Sequence, residues 1–347
     1  MKQMIDKTTD EKNIERGHRD SIVVEDCEII ANEAWPGNQW RLRLRSSEIS
    51  IRASPGSFVH LRCDPELPMR RPMSLMRAEG PAEGPAEGPA EGPAEGGVIE
   101  LLYKEVGHGT RLLARKRPGE NLNLIGPIGR GFAAVPGRPF NLLLGGGVGI
   151  PPIFFFARHL QRRPPPGSGA DSILVLLGSE LPFPFATTRP ARIRVPGRAV
   201  QEPILLEGAA MSELDERGIA SRLASGAGFP GCHRGHVGDL ARLWLDRLDP
   251  AFRDGVAIHA CGPLAMLEAC VALAGEYNLP CRISLEESMA CAVGGCAGCT
   301  VRVRKDEGMT MQRVCVDGPV FDGHRVVFQN QLFQNQQAAP PVAELER

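Results

Sequence analysis

NLLLGGGVGIPPIFFFARHL (residues 141–160) decides how this chain folds. An apolar run, Leu142 to Leu144, gives way to Gly145-Gly146-Gly147-Val148-Gly149, then to an apolar segment with Pro151 and Pro152 at its start. That is a buried strand, a tight turn, and a helix carrying proline in its first turn, where the missing N–H costs nothing. The stretch from Pro139 to Ala157 bears no charge, but its glycines and prolines interrupt the roughly 20 apolar residues that a spanning helix needs. DSILVLLG (171–178) predicts a second strand. GVAIHA (255–260) predicts a third, followed by a helix in CGPLAMLEACVALAGEY (261–277). Strand–helix alternation implies a parallel sheet covered on both faces. Residues 180–230 show no such clear pattern.

Upstream the period changes. In WRLRLR (40–45), Trp40, Leu42 and Leu44 alternate with arginines, the mark of a half-buried strand. A Pro55-Gly56 turn precedes SFVHLRC, and LIGPIGRGF (124–132) closes the region. Short strands punctuated by Gly and Pro predict a small antiparallel barrel over residues 21–136. Within it PAEG is repeated four times (81–96), a sequence that cannot build a core. It lengthens a hairpin loop between RPMSLMR and VIELLYK at little cost in closure entropy. The remaining expected units are a disordered extension (1–20), an α/β nucleotide-binding domain (137–278), a cysteine-bearing module (279–332) with strands at TVRVR and RVVFQN, and a loose tail (333–347).

At roughly 150 residues per domain, 347 residues allow two domains and a small module. Hydrophobic residues at 42% and charged residues at 23% exclude global disorder. Lys+Arg (40) and Asp+Glu (41) leave a net charge of -1, which argues against a nucleic-acid or anionic-membrane surface. The charged N-terminus lacks the apolar core of a secretory signal, so a cytoplasmic location is expected. Ten cysteines then read as metal ligands, redox groups or small buried side chains rather than a disulfide framework.

Three constellations carry chemistry. Cys291, Cys296 and Cys299 follow the spacing C-x4-C-x2-C, and Cys315 comes later, the pattern of plant-type [2Fe–2S] ligation. Gly294, Gly295 and Gly298 let the backbone approach the sulfurs and turn N–H groups toward a negatively charged cluster. A zinc site, which more often uses two C-x2–4-C pairs, and unligated thiols are the alternatives. The second constellation is Arg71-Pro72-Met73-Ser74 with Gly109-Thr110 about 35 residues on. Arg71 offers a planar donor fork for a pyrophosphate, Ser74 a hydroxyl beside a flavin ring, and Gly109-Thr110 the opening of a short helix with exposed N–H groups. An arginine at a strand end is ordinarily just solvated, so the pairing of the two motifs carries the flavin reading. The third is Gly145, Gly146, Gly147 and Gly149, with Cys261-Gly262-Pro263 at the end of a later strand. Together they allow a nucleotide close to the carboxyl edge of the sheet, although the run is not a G-x-G-x-x-G fingerprint. Cys261 either lies near a nicotinamide ring or is merely small. The histidines form no triad or metal spacing, and Glu286-Glu287 read as solvated or capping residues.

RPMS, LLYKEVGHGT, GPIGRGF, LLLGGGVGIPP, ACGPLAML, SLEESMACAVGGCAGC and RVCVDGPVF occur in this order, and across residues 21–330 the chain resembles the electron-transfer subunits of NAD-dependent dihydroorotate dehydrogenase, within the ferredoxin–NADP reductase-like flavoproteins. The resemblance implies an FAD-binding antiparallel β-barrel, a Rossmann-like parallel α/β domain for NAD and a small C-terminal [2Fe–2S] module. It places FAD on Arg71, Pro72, Met73, Ser74, Leu102, Tyr103, Lys104, Gly109 and Thr110, and the cluster on Cys291, Cys296, Cys299 and Cys315. It also implies a partner, an FMN-containing subunit that oxidises dihydroorotate in pyrimidine biosynthesis, in a heterotetramer with two copies of each. Electrons would pass from that FMN by way of the cluster and FAD to NAD+. No dihydroorotate site is visible in this chain. Residues 179–235 match the family poorly, and Glu180, disfavouring a 2′-phosphate, favours NAD over NADP. The same chemistry could serve another complex (a hydrogenase, a sulfide-linked reductase or a ferredoxin:NADP reductase), and a zinc-binding scaffold without catalysis is the reading from a different class.

Overall fold

The computed structural model describes residues 20–80, 96–169, 172–189 and 208–328. The tail, and nearly all of the N-terminal extension and PAEG repeat, lie outside the described residues.

The first half contains strands β1 (Val23–Trp35), β2 (Gln39–Arg45), β3 (Phe58–Leu61), β4 (Arg71–Glu79), β5 (Val98–Lys104) and β6 (Asn121–Ile128), with short helices α1 (Ile49–Arg52) and α2 (His108–Leu113). The strands close into an antiparallel barrel in the order β1-β2-β5-β4-β3-β6. Alternation in β2 sends Leu42 and Leu44 into the barrel, where they meet Ile29, Val59, Leu61, Leu75, Ile99, Leu101 and Leu124. Each such side chain contributes about 1.5–3 kcal/mol by leaving water. Gly56, at φ +89, makes the turn into β3, and a Cβ there would meet Phe132 at 3.1 Å.

The second half runs β7 (Phe140–Gly146), α3 (Ile150–Arg162), β8 (Ile173–Gly178), β9 (Thr187–Thr188), β10 (Ala210–Met211), α4 (Ser212–Glu216), β11 (Ala220–Ala224), α5 (Val237–Leu245), α6 (Pro250–Arg253), β12 (Val256–Cys261), α7 (Leu264–Glu276) and β13 (Cys281–Ser284). It ends with β14 (Thr300–Lys305), β15 (Gly308–Arg313) and β16 (Val320–Asp322). The main sheet has the order β11-β8-β7-β12-β13-β16, parallel except for the last pair. Its two faces follow the period of two. Leu142, Leu144, Leu174 and Leu176 face α5 and α7 through Trp244 and Leu267, whereas Leu143, Val175 and Leu177 face α3 through Phe154 and Phe156. Residues 180–230, unreadable in sequence, supply the two-stranded sheet of β9 and β10, helix α4 and edge strand β11.

One expectation fails. RVVFQN is not a strand: Gly323–Arg325 is a 3-10 turn capped by the Asp322 side chain, and pairing with β14 survives as the single bridge Val303–Val326. The cap diverts the chain before a ladder can form, and Gln329 and Asn330 lie outside the described residues. The strand that joins the main sheet is β16 instead. β16 is the edge strand of that sheet and β13 its inner neighbour, so the cysteine segment is a loop and hairpin hung between the last two strands.

Candidate redox site

At the cluster loop, Ala292 (φ 56), Gly294 (φ 84) and Ala297 (φ 54) take left-handed backbone. These turns direct the N–H groups of Gly295 and Cys296 at the Cys291 sulfur (3.3 and 3.4 Å), and that of Gly298 at the Cys296 sulfur (3.4 Å). The Cys296 thiol also reaches Cys291. Burial raises the Cys291 pKa, but the N–H groups of Cys296, Val293 and Gly295 outweigh it and hold the thiol at about 6, so its thiolate forms readily. Cys299 and Cys315 are buried with sulfurs 3.4 Å apart, and Val314 N–H donates to the Cys299 carbonyl at 2.9 Å. Burial and the neighbouring Cys299 thiol push Cys315 up to about 12. Arg313 donates to the Gly294 carbonyl (3.0 Å), tying the loop to β15.

Among the described residues, no three ligating side chains converge on one point. The cysteines form two pairs, Cys291 with Cys296 and Cys299 with Cys315. Two sulfurs on one tetrahedral metal, each at about 2.3 Å, stand roughly 3.8 Å apart. The 3.4 Å pair approaches that separation. Two thiol pairs, each fit for one metal, with N–H donors aimed at the sulfurs, suit a dinuclear iron–sulfur group better than a single zinc. Cys296 is exposed, whereas Cys299 and Cys315 belong to the core shared with the main sheet.

The flavin-motif residues meet at the barrel edge. Arg71 opens β4 opposite Leu61, and Ser74 lies opposite Phe58. A Cβ on Gly109 would come within 3.4 Å of Arg71 Nε and 3.5 Å of Nη2, so the guanidinium sits against the start of α2. Arg71 Nη1 donates to the carbonyls of Met69 and Arg70 (3.1 Å each), which fixes the fork. The Thr110 hydroxyl accepts from Val106 N–H (3.0 Å) and Gly107 N–H (3.1 Å) and holds the turn before α2. Pro72 and Ser74 are partly exposed, whereas Met73 is buried with the barrel cluster. On β5, Lys104 is exposed, and Leu102 packs toward α3. Tyr103 is buried, stacked on Trp40, with its hydroxyl donating to Asn32 at 3.1 Å. Tyr103 and Met73 can therefore offer a ring their backbone but little side-chain surface.

The glycine turn and the CGP segment lie on adjacent strand ends, Gly145 opposite Cys261. A Cβ on Gly149 would lie 2.3 Å from the Cys261 carbonyl oxygen, and one on Gly146 2.4 Å from Met266 Sδ. Gly147, at φ +54, faces open space. The helix start is thus packed onto the Cys261-Gly262 backbone, leaving Gly147 as the open rim, with Pro263 against Gly146. Cys261 is fully buried, and burial, with Glu286 nearby, pushes its thiol well up. Glu286 is crowded by protein atoms and its carboxyl is raised by that desolvation, yet it keeps solvent exposure, as a side chain in a cleft does. Glu180, at the end of β8, accepts from Gly226 N–H at 3.2 Å.

Sequence reasoning missed the joint between these parts. Arg130, leaving the barrel, donates its N–H to the Gly318 carbonyl (2.5 Å), and its own carbonyl accepts from Val320 N–H (3.3 Å). A Cβ on Gly129 would lie 2.4 Å from Pro319 Cδ. GPIGRGF is thereby paired with the segment just after Cys315. The only trace in sequence is the shared Gly-Pro punctuation.

Residues 286–327 match the family model for the iron–sulfur cluster binding domain of dihydroorotate dehydrogenase B. The electron transfer subunit of dihydroorotate dehydrogenase B (NAD(+)) from Geobacillus sp. (strain WCH70) is 30% identical over 312 residues, covering 87% of this chain and 98% of that protein. The corresponding subunit from Desulforamulus reducens is 28% identical over 309 residues, covering 88% and 98%. Among solved structures, an NADH-dependent reduced ferredoxin-NADP oxidoreductase superposes with a TM-score of 0.63 at 23% identity, over 90% of this chain and 93% of that one. The ferredoxin reductase of carbazole 1,9a-dioxygenase gives 0.51 at 19% identity, over 75% and 67%.

Proposed function

The chain belongs to the family of electron transfer subunits of dihydroorotate dehydrogenase B (NAD(+)), and from that premise we propose that it links an FMN-containing, dihydroorotate-oxidising partner to NAD+. The observation that carries this reading is the pair of thiol pairs, one at the surface and one in the core, joined by backbone to the exit of the barrel. Bound FAD would exchange electrons in twos and a bound [2Fe–2S] group singly, and these groups supply the redox chemistry.

This chain's own residues hold and orient. Cys291 and Cys296 would take one iron, Cys299 and Cys315 the other, with the N–H groups of Gly295, Cys296 and Gly298 offsetting negative charge. Arg71, braced by its bonds to the carbonyls of Met69 and Arg70, would receive the FAD pyrophosphate beside Gly109 and Thr110, with Ser74, Leu102 and Lys104 along the ring and Pro72, Met73 and Tyr103 contributing backbone. Gly145, Gly146, Gly147 and Gly149 with Cys261, Gly262 and Pro263 would seat NAD at the sheet's carboxyl edge. The division into barrel (21–136), nucleotide domain (137–278) and cluster module (279–332) follows these three tasks. Among the described residues no helix is long and apolar enough to cross a membrane, and we place the complex, two copies of each subunit, in the cytoplasm.

The test is purification alone and with the FMN subunit. Alone, the chain is expected to carry flavin, iron and labile sulfide and to reduce ferricyanide with NADH, but not to oxidise dihydroorotate. With the partner it is expected to support dihydroorotate-dependent NAD+ reduction. A colourless chain with stoichiometric zinc would sink the proposal.

A further inference from the structure

Between the far end of β4, helix α1 and the last turns of α3 lies a cavity of about 350 Å³. Four guanidinium groups line it: Arg77 from β4, and Arg158, Arg162 and Arg163 from the end of α3. Among the described residues three carboxylates meet Arg77, Arg158 and Arg162, and Arg162 has a further partner. Glu79 is shared by Arg158 (2.9 Å), Arg77 (3.8 Å) and Arg162 (3.8 Å). Glu100 and Glu213 are engaged by Arg77, at 3.1 and 2.6 Å. Three buried polar atoms of lining residues have no hydrogen-bond partner: Arg158 Nε and Ser50 Oγ, each on a residue 5% exposed, and Arg77 Nε, which meets Glu100 at 3.1 Å only as an ion pair. Burial and the neighbouring Arg77 depress the Arg158 pKa, the response of a cation short of counter-charge.

A clamp holding the barrel to α3 would explain Arg77, which has its carboxylates. It does not explain why Arg158, Arg162 and Arg163 also gather around an open volume, the first two on one glutamate. We propose that this cavity is an anion site, separate from the cofactor sites, that takes a small organic molecule bearing a phosphate group. Guanidinium forks arriving from two elements match a phosphate's several oxygens better than a carboxylate's two. The volume falls at the low end of small-molecule sites, room for a phosphate and a sugar-sized body, and Ile51, Ala53 and Phe155 supply an apolar wall for that body. The site is remote from the nucleotide turn: α3 starts at Ile150, and its arginines lie about 15 Å further along the axis.

The experiment is calorimetric titration of the full-length, FAD-loaded protein with ribose 5-phosphate, with NAD+ saturating so that the nucleotide site is filled. Saturable binding at one site per chain is expected. In the double variant Arg162→Gln/Arg163→Gln, whose side chains are solvent-exposed, affinity is expected to fall at least tenfold while the KM for NADH and the thermal midpoint stay unchanged. Absence of saturable binding to the parent protein, or equal binding by the double variant, overturns the proposal.

Discussion

Gly149 shows how little room the nucleotide turn leaves. A methyl group there would lie 2.3 Å from the Cys261 carbonyl oxygen, a backbone atom that cannot rotate away. Gly149→Ala must push α3 from the β12 end, at about 1–3 kcal/mol of overpacking. A several-fold rise in the KM for NADH is expected, with flavin content unchanged, read in a ferricyanide assay. His259 illustrates a different residue-scale effect. Its ring is buried between Phe132 and Phe156, and neither nitrogen has a hydrogen-bond partner. Burial, helped by Arg282, lowers its pKa to about 3 from 6.5. Between those values the unfolded chain binds the proton and the folded chain does not. The stability held by the neutral ring is therefore whole above pH 6.5 and is lost as the pH falls toward 3, at about 1.4 kcal/mol per pH unit for one group. Urea midpoints measured from pH 7 to 4.5 should fall in the parent, and the fall should be shallower in His259→Phe.

At the scale of elements, the barrel wall and the α/β half are joined through charges that look unpaired in sequence. Glu100 on β5 is buried and accepts from Arg41 Nε on β2 at 2.6 Å, with Arg77 Nε on β4 at 3.1 Å. Arg77 continues to Glu213 on α4 at 2.6 Å. The register slip in β4 between Leu75 and Arg77 accompanies this arrangement. Removing the carboxylate leaves the largely buried Arg41 without its counter-charge, while Arg77 keeps Glu213 and Glu79, so Glu100→Ala should destabilise the protein by about 3 kcal/mol. Chemical denaturation of the FAD-loaded protein would measure it. VIELLYK reads as a strand because of its apolar residues, and the strand is there. The partners of its one acid are 59 and 23 positions away in the chain, beyond any local pattern.

For the whole molecule, the cysteine segment is a strap between core and surface. Cys299 and Cys315 are buried in the cluster that also holds the β7–β12 face of the main sheet, whereas Cys296 is exposed. Cys296→Ser and Cys315→Ser should both lose the iron and labile sulfide of the parent. Their stabilities should separate: Cys315→Ser places a hydroxyl in an apolar core and lowers the urea midpoint of the apoprotein, and Cys296→Ser leaves it within experimental scatter. Equal destabilisation by the two would contradict the surface-and-core arrangement. The exposed Val293, Met309 and Met311 lie in the same segment, on the cluster loop and β15.

Contiguous signals determined the broad plan: strand, glycine turn and helix at 141–160, alternation in β2, and the C-x4-C-x2-C spacing are all local, because period and turn chemistry are properties of neighbouring residues. The same locality explains the failure at RVVFQN, where a strand-like composition lost to a side-chain cap that composition does not reveal. Tertiary packing alone decided which cysteines pair, that Arg71 lies against Gly109, that GPIGRGF is bonded to the segment after Cys315, and that alanines as well as glycine carry left-handed backbone in the cluster loop. Those contacts join positions far apart in the chain, and their geometry follows from how the barrel and the sheet close against each other rather than from any residue's own preference.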